Sequence, residues 1–306
     1  PKIKKIIIFS RDELKQWELQ CLYPEEKFPQ LKFILGDIRD KERLKIALID
    51  VDTVIHAAAL KHVVAAEYNP YEYIKTNILG GQNIIEASLE MNVKNIIALS
   101  TDKASCPVNL YGATKFCSDK LFIAANSISS KNDLKISVVR YGNVLGSRGS
   151  VIPFFIELAK TGRLPITDPN MTRFNITLQE SVDIVKWALN NAYGGEIVVP
   201  KLSSYRILEL ADAIGPDCEK IPIGIRPGEK IHEEMISVHD SSRTYDIGDY
   251  YLIFTNNESD KLIKERYKNA KKVEANFSYN SGDNNDFLNI EEIKNLIKEN
   301  INNNTF

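Results

Sequence analysis

Short apolar runs at 3–9, 31–35, 51–57, 94–100 and 135–141 alternate with stretches of helical composition, and that alternation leaves few folds open to the first half of the chain. Strands separated by segments of helix length do not pair as hairpins. They pair in parallel through right-handed crossovers, with helices covering both faces of the sheet. Helical patterns fall at 11–22, 41–48 and 69–91, the last entered through Pro70 and weakened at its middle by Gly80 and Gly81. The expected class is α/β, a Rossmann-type doubly wound parallel sheet over residues 1–142. From Gly142 onward the pattern breaks into Gly- and Pro-rich loops, with short helices at 181–191 and 206–214. That half, 143–306, reads as a smaller α/β substrate domain, with part of 175–200 (a strand at 196–200) returning to the first sheet. The last thirty residues are rich in Asn, Lys and Ser and end in a helix at 290–301 and a frayed tail.

Composition narrows the partners. A chain of 306 residues that is 43% hydrophobic buries a sizeable core, and a formal charge of −2 gives neither a nucleic-acid footprint nor a basic membrane surface. No run approaches the length of a membrane-spanning helix. Cys21, Cys106, Cys117 and Cys218 have no metal or disulfide spacing and read as free thiols in a reducing cytoplasm, Cys117 as a packing residue. His56 and His62 read as hydrogen-bonded supporting residues, and no metal site is expected.

The chemistry-bearing stretch is 100–115. Tyr111 and Lys115 stand at i and i+4 of a helix, so phenol and ammonium can meet one ligand. A nearby ammonium is expected to lower the tyrosine pKa and yield a base that takes an alcohol proton as hydride leaves the same carbon. The strand before this segment ends in Ser100 and Thr101, and catalytic groups in open α/β sheets collect at such carboxyl ends. Thr101 reads either as a substrate contact or as a turn hydroxyl. Asp102 and Lys103 add a second acid/base pair, which plain alcohol oxidation does not need; the bland alternative is a salt bridge closing the loop. As a base, Lys103 would need its pKa well below the usual lysine value.

A dinucleotide fold opens with a strand, a glycine-rich turn and a helix whose N-terminus receives the pyrophosphate. Here the first apolar run already ends in Ser10 and Arg11, where an acidic residue would select NAD and an arginine accommodates the 2′-phosphate of NADP. A solvated strand end is the alternative reading. Asp37 and Ile38 would flank the adenine, and the small side chains of Ala57, Ala58 and Ala59 would let a cofactor come close. The chain thus reads as starting one strand and one helix late. The expectation is that these 306 residues alone bind NADP weakly and fold poorly.

Taken together, the segments Ser10-Arg-Asp-Glu-Leu-Lys15, Gly36-Asp-Ile-Arg-Asp40, His56-Ala-Ala-Ala-Leu-Lys-His62, Thr76-Asn77, Ser100-Thr-Asp-Lys103, Tyr111-Gly-Ala-Thr-Lys115, Arg140 to Ser150, Met171-Thr-Arg-Phe174 and Ile225-Arg-Pro-Gly-Glu-Lys230 resemble the inverting UDP-N-acetylglucosamine 4,6-dehydratases. These are extended short-chain dehydrogenase/reductases that open the pseudaminic acid pathway. The resemblance implies a homo-oligomer of up to six subunits, feeding flagellin glycosylation or surface polysaccharide. It implies carbon 4 oxidation with Tyr111 as base and Lys115 orienting it, Asp102 as acid at the carbon 6 hydroxyl, and Lys103 at carbon 5. NADP contacts would fall on Ser10, Arg11, Asp12, Glu13, Leu14, Lys15, Asp37, Ile38, Ala58, Ala59, Tyr111, Lys115 and Val144. UDP-N-acetylglucosamine would meet Lys61 and Asn143 at the sugar, Arg173 and Arg226 at the diphosphate, and Glu229 at the ribose. Segment 279–285 resembles a substrate-covering stretch.

Two other readings compete. A 4-epimerase shares Tyr-x-x-x-Lys but has no use for the Asp102–Lys103 pair. A non-catalytic NADP-sensing protein would have no use for all four residues.

Overall fold

The computed structural model describes residues 3–128, 134–147, 149–255 and 258–301; Arg148 of the 140–150 segment and the expected tail after 301 lie outside them. The chain opens with β1 (Ile6–Ser10), α1 (Glu13–Leu22) and β2 (Leu31–Leu35), whose strands pair in parallel from Ile6 opposite Leu31 to Ser10 opposite Leu35. Asp12 caps α1 by accepting from the Lys15 amide at 3.1 Å. Next come α2 (Lys41–Ala47), β3 (Thr53–His56), α3 (Val63–Tyr68) and α4 (Pro70–Tyr73), the last continuing through a π-helical turn at Ile74–Leu79 into α5 (Gly80–Glu90). β4 (Asn95–Thr101), α6 (Leu110–Ile128) and β5 (Lys135–Tyr141) complete the first half.

The single helix expected at 69–91 is therefore interrupted. In the widened turn Asn77 is buried, accepting from the Leu60 amide at 2.9 Å and donating to the Leu60 carbonyl at 2.9 Å and to Thr114 Oγ1 at 3.0 Å. A π turn of this kind commonly marks a functional region. The two glycines after it permit close packing rather than flexibility. A Cβ on Gly80 would lie 2.7 Å from the Ile38 side chain.

The second half runs β6 (Asn143–Val144), α7 (Val151–Ala159), β7 (Arg163–Ile166), β8 (Thr172–Ile176), α8 (Leu178–Asn191), β9 (Glu196–Pro200), β10 (Ser204–Arg206), α9 (Ile207–Ile214) and β11 (Glu219–Pro222). It ends with β12 (Glu234–Ile236), β13 (Thr244–Asp246), β14 (Tyr250–Phe254), α10 (Asp260–Arg266), β15 (Lys271–Lys272), β16 (Tyr279–Asn280) and α11 (Ile290–Asn300). Capping boxes start α8 (Thr177 with Glu180) and α11 (Asn289 with Glu292).

The main sheet has seven strands in the order β15-β13-β14-β9-β5-β4-β3, with β3, β4, β5 and β9 parallel. β9 returns to this sheet from the second half, and so do β13, β14 and β15, which the sequence pattern did not place there. Among the described residues β1 and β2 ladder only with each other, and β3 is an edge of the seven-stranded sheet. The main core lies on both faces of that sheet, around Ile96, Ile136, Val138, Val198 and Phe122. A second cluster around Phe155, Leu164, Ile166, Leu210 and Ile293 holds the remaining lobe together. No helix among the described residues is long and apolar enough to cross a membrane.

Candidate active site

β4 is buried through Ile96, Ile97 and Ala98, so its position is fixed by packing, and its C-terminal end delivers Thr101 directly into a 3₁₀ turn at Asp102–Ala104. Helix α6 begins just beyond and packs on that turn. Gly112 is the reason the contact is so close: a Cβ there would stand 2.2 Å from the Lys103 carbonyl oxygen. The Asn109 side chain accepts from the Gly112 amide at 2.8 Å and donates to the Gly228 carbonyl at 2.7 Å. Lys230 Nζ donates to the Ser105 carbonyl at 2.8 Å. The start of α6 and the 228–230 loop are thus tied together across the chain.

Around that turn Asp102, Lys103 and Tyr111 converge, while Lys115 lies one helical turn further along α6. Thr101 Oγ1 donates to Asp102 Oδ1 at 2.9 Å. Lys103 Nζ lies 3.1 Å from Asp102 Oδ1, 3.2 Å from Asn143 Oδ1 and 3.2 Å from Glu233 Oε1. Asp102 is fully buried, and its Oδ2 carries no hydrogen-bond partner. Burial, with Glu233 adding to it, pushes the Asp102 carboxyl above the usual range despite the Lys103 charge.

Two expectations about charge are corrected. Burial pushes the Tyr111 phenol up to about 12, against the pull of the Lys103 charge and of the Thr101 hydroxyl. The expected lowering by Lys115 is not what the geometry gives, because Lys115 turns its ammonium to the Leu99 carbonyl at 2.8 Å; burial holds it below the usual lysine range. Lys103 moves opposite to the requirement stated for a base. Burial works to lower it, but the Asp102 and Glu233 carboxylates outweigh that effect and hold the ammonium above its ordinary value.

Sequence reasoning missed Glu233, Asp119 and Arg140. Glu233 is buried just ahead of β12, with its backbone locked to Ser281: the Glu233 amide donates to Ser281 Oγ at 2.9 Å and the Ser281 amide to the Glu233 carbonyl at 2.8 Å. Asp119 on α6 accepts from Ser100 Oγ at 2.8 Å and pairs with the buried Arg140 at 3.2 Å, and Arg140 also donates to the Met235 carbonyl at 2.9 Å. That network joins β4, β5, α6 and β12 behind the reactive turn. Ser100 and Arg140 stand near the ends of apolar strands and Asp119 on a helix, and only their burial gives them away.

The remaining candidates fall in three places. At the ends of β1 and β2, the half-exposed Arg11 reaches Asp37 at 3.5 Å, while Asp37 pairs more closely with Arg39 at 2.7 Å. Ser10 accepts from the Asp12 amide at 3.1 Å, Lys15 pairs with Asp12 at 3.0 Å, and Glu13 and Leu14 face outward on the first turn of α1. Ala58 and Ala59 are exposed beyond β3, and Ile38 is buried under α5. Beside the reactive turn are Asn143 and Val144 of β6 and Lys61, whose pKa is lowered by partial burial and by Lys103. Farther along, Arg226 and Glu229 pair with each other, with Arg226 Nε 2.9 Å from Glu229 Oε1. Arg173 is buried, and donates to the Thr172 and Ile231 carbonyls at 2.7 and 3.0 Å instead of presenting an outward fork.

Segment 279–285 is likewise structural at its start. Tyr279 is buried, donating to the Leu202 carbonyl at 2.9 Å and accepting from its amide at 2.7 Å, and Ser281 is fully buried. His56 is buried against Phe122 at 5.4 Å, and burial drives its pKa down to about 3. Among the described residues no cluster could hold a metal. Cys117 is exposed rather than packed.

A parallel sheet whose fourth strand ends in this turn, with Tyr111 and Lys115 on the following helix, defines an extended short-chain dehydrogenase/reductase fold. The chain belongs to the family described as polysaccharide biosynthesis protein, whose model matches residues 1–255. It is 51% identical over 303 residues to a UDP-N-acetylglucosamine 4,6-dehydratase (inverting) of Campylobacter jejuni, covering 97% of this chain and 90% of that protein. It is also 41% identical over 300 residues to a UDP-glucose 4-epimerase of Rickettsia canadensis, covering 96% of this chain and 87% of that one. Among solved structures, Pen from Bacillus thuringiensis superposes with a TM-score of 0.88 at 33% identity, over 97% of this chain and 90% of that chain. The resemblance to the inverting dehydratases drawn from the motifs is thereby borne out.

Proposed function

We propose that the protein is a hydro-lyase that converts UDP-N-acetylglucosamine to UDP-2-acetamido-2,6-dideoxy-4-hexulose, with inversion at carbon 5. The observation that carries this reading is the ion-paired Asp102 and Lys103 held against Tyr111 at the end of β4. Tyr111, in its ionised form, takes the proton of the carbon 4 hydroxyl; the nearby Lys103 charge and the Thr101 hydroxyl favour that form against burial. The resulting ketone acidifies the carbon 5 proton, which Lys103 removes after passing its own proton to Asp102, 3.1 Å away, and returns from the other face. Asp102, whose carboxyl burial holds above the usual range, gives that proton to the departing carbon 6 hydroxyl. Its unpartnered Oδ2 is suited to that contact.

A nicotinamide cofactor, NADP on this reading, would accept hydride from carbon 4 and supply it at carbon 6. The residues present fit such a group: exposed Ala58 and Ala59 leave room beyond β3, the Lys115 ammonium lies at the same sheet edge, and Arg11 stands half-exposed at the end of β1. Ser10, Arg11, Asp12, Glu13, Leu14, Lys15, Asp37 and Ile38 would hold the adenosine half, and Tyr111, Lys115 and Val144 the nicotinamide half. Lys61 and Asn143 would hold the sugar, Arg226 the diphosphate and Glu229 the ribose, once their mutual ion pair opens. Assembly as a homo-oligomer and entry of the product into pseudaminic acid synthesis belong to the same proposal.

The 41% identity to a protein named as an epimerase favours a second reading, 4-epimerisation. Incubating the full-length protein, NADP and UDP-N-acetylglucosamine and identifying the product by NMR separates the two. A 4-keto-6-deoxy sugar with inverted carbon 5 supports dehydration; UDP-N-acetylgalactosamine alone refutes it.

A further inference from the structure

Lys103 is held from three directions. Its three ammonium hydrogens meet three oxygens: Asp102 Oδ1 at 3.1 Å, Asn143 Oδ1 at 3.2 Å and Glu233 Oε1 at 3.2 Å. Of these, Glu233 is the one that neither the motif spacing nor the family resemblance singles out. It is almost fully buried, its Oε2 has no partner, and its backbone is clamped to Ser281. Behind it lies Arg173 Nε at 3.7 Å, itself fixed by two backbone carbonyls. A buried carboxylate is costly unless charge surrounds it, and here two cations do so. The Lys103 and Arg173 charges hold Glu233 below the usual carboxyl range even though burial opposes them.

The arrangement matters because Asp102 cannot fill two roles at once. If Asp102 is protonated to expel the carbon 6 hydroxyl, it no longer anchors an ammonium. Glu233 is then the remaining anionic partner of Lys103 within hydrogen-bond reach.

We propose that Glu233, braced by Arg173, is a positioning residue for Lys103: it fixes where the amine lies beside the sugar and governs when that amine carries a proton. This rests on the reading of Lys103 as the carbon 5 base. It also gives Arg173 a supporting role behind the reacting groups in place of a diphosphate contact. The other charged or titratable groups facing Lys103 are Asp102 on its own turn, Tyr111 on α6, Lys61 after β3, Arg173 on β8 and Tyr205 on β10. Asp102 and Glu233 are the two that stabilise its charge at contact distance.

The test is a pH titration of the Lys103 side chain in the full-length protein labelled with ¹³C at lysine Cε, with its signal assigned by its absence in Lys103→Arg. Wild-type Lys103 should stay protonated past the ordinary lysine midpoint of about 10.4. Glu233→Gln should lower the midpoint by at least about one pH unit, since it removes a contact charge. It should also cut kcat by about tenfold or more with KM within about threefold, the pattern of a group acting on the reacting step. Glu233→Asp keeps the charge but draws it back, so it should fall between the two, and it carries the test if the Gln variant does not fold. An unchanged Lys103 midpoint in a folded Glu233 variant overturns the proposal. The NMR result is independent of turnover, so it separates this proposal from the dehydratase reading, which product identification decides.

Discussion

The Cα of Gly112 lies so close to the Lys103 carbonyl that a Cβ would come within 2.2 Å of its oxygen. The residue after Tyr111 therefore sets the distance between α6 and the turn bearing Asp102 and Lys103. Gly112→Ala must push the turn and the helix apart, because backbone on both sides leaves no flexible group to yield. We expect a loss of about 1–3 kcal/mol in stability from overpacking, read by urea unfolding. A displacement of about 1 Å should also cost about a hundredfold in kcat. A folded Ala variant with wild-type turnover would contradict this view of the contact.

Asp119 and Arg140 form a buried pair behind the site, each side chain 4% exposed. Removing one partner strands the other charge, so Asp119→Asn should destabilise the protein by about 3–5 kcal/mol. Chemical denaturation measures this directly. A change below about 1 kcal/mol would mean that Ser100 and the Met235 carbonyl satisfy the network without the charge.

Glu196 sits at the start of β9, fully buried, with Oε1 accepting from Ser137 Oγ at 2.9 Å and the Gly194 amide at 3.0 Å, while Oε2 has no partner. Burial raises its pKa over the hydrogen bonds that oppose the shift. A carboxyl raised on folding binds more proton in the native than in the unfolded state. Stability therefore falls as pH rises from the ordinary glutamate range to the folded pKa, by at most about 1.4 kcal/mol per pH unit. Glu196→Gln should flatten that slope and raise the melting temperature at pH 7 relative to pH 5. An unaltered pH profile of thermal unfolding would refute the assignment.

Much of this was legible in local pattern. The parallel strands, their order of appearance and the meeting of Asp102, Lys103 and Tyr111 follow from apolar runs and helical spacing, because those signals act between near neighbours. The π turn at Ile74–Leu79 was not legible, since its cause is the buried bonding of Asn77 to Leu60 and Thr114, which sequence proximity does not reveal. Nor was Glu233, whose meaning comes from Lys103 and Arg173 on distant strands and turns. The charge behaviour of Tyr111 and Lys103 was not legible either: at Tyr111 burial outweighs the nearby positive charge, while at Lys103 the Asp102 and Glu233 carboxylates outweigh burial.

The most direct test of the whole account is turnover of UDP-N-acetylglucosamine in deuterated water by the full-length protein, alongside its Lys103→Ala variant. One deuterium is expected at carbon 5 of an inverted 4-keto-6-deoxy product, with that label and product lost in the variant. Unlabelled UDP-N-acetylgalactosamine, or a fully active variant that still inverts carbon 5, would contradict it.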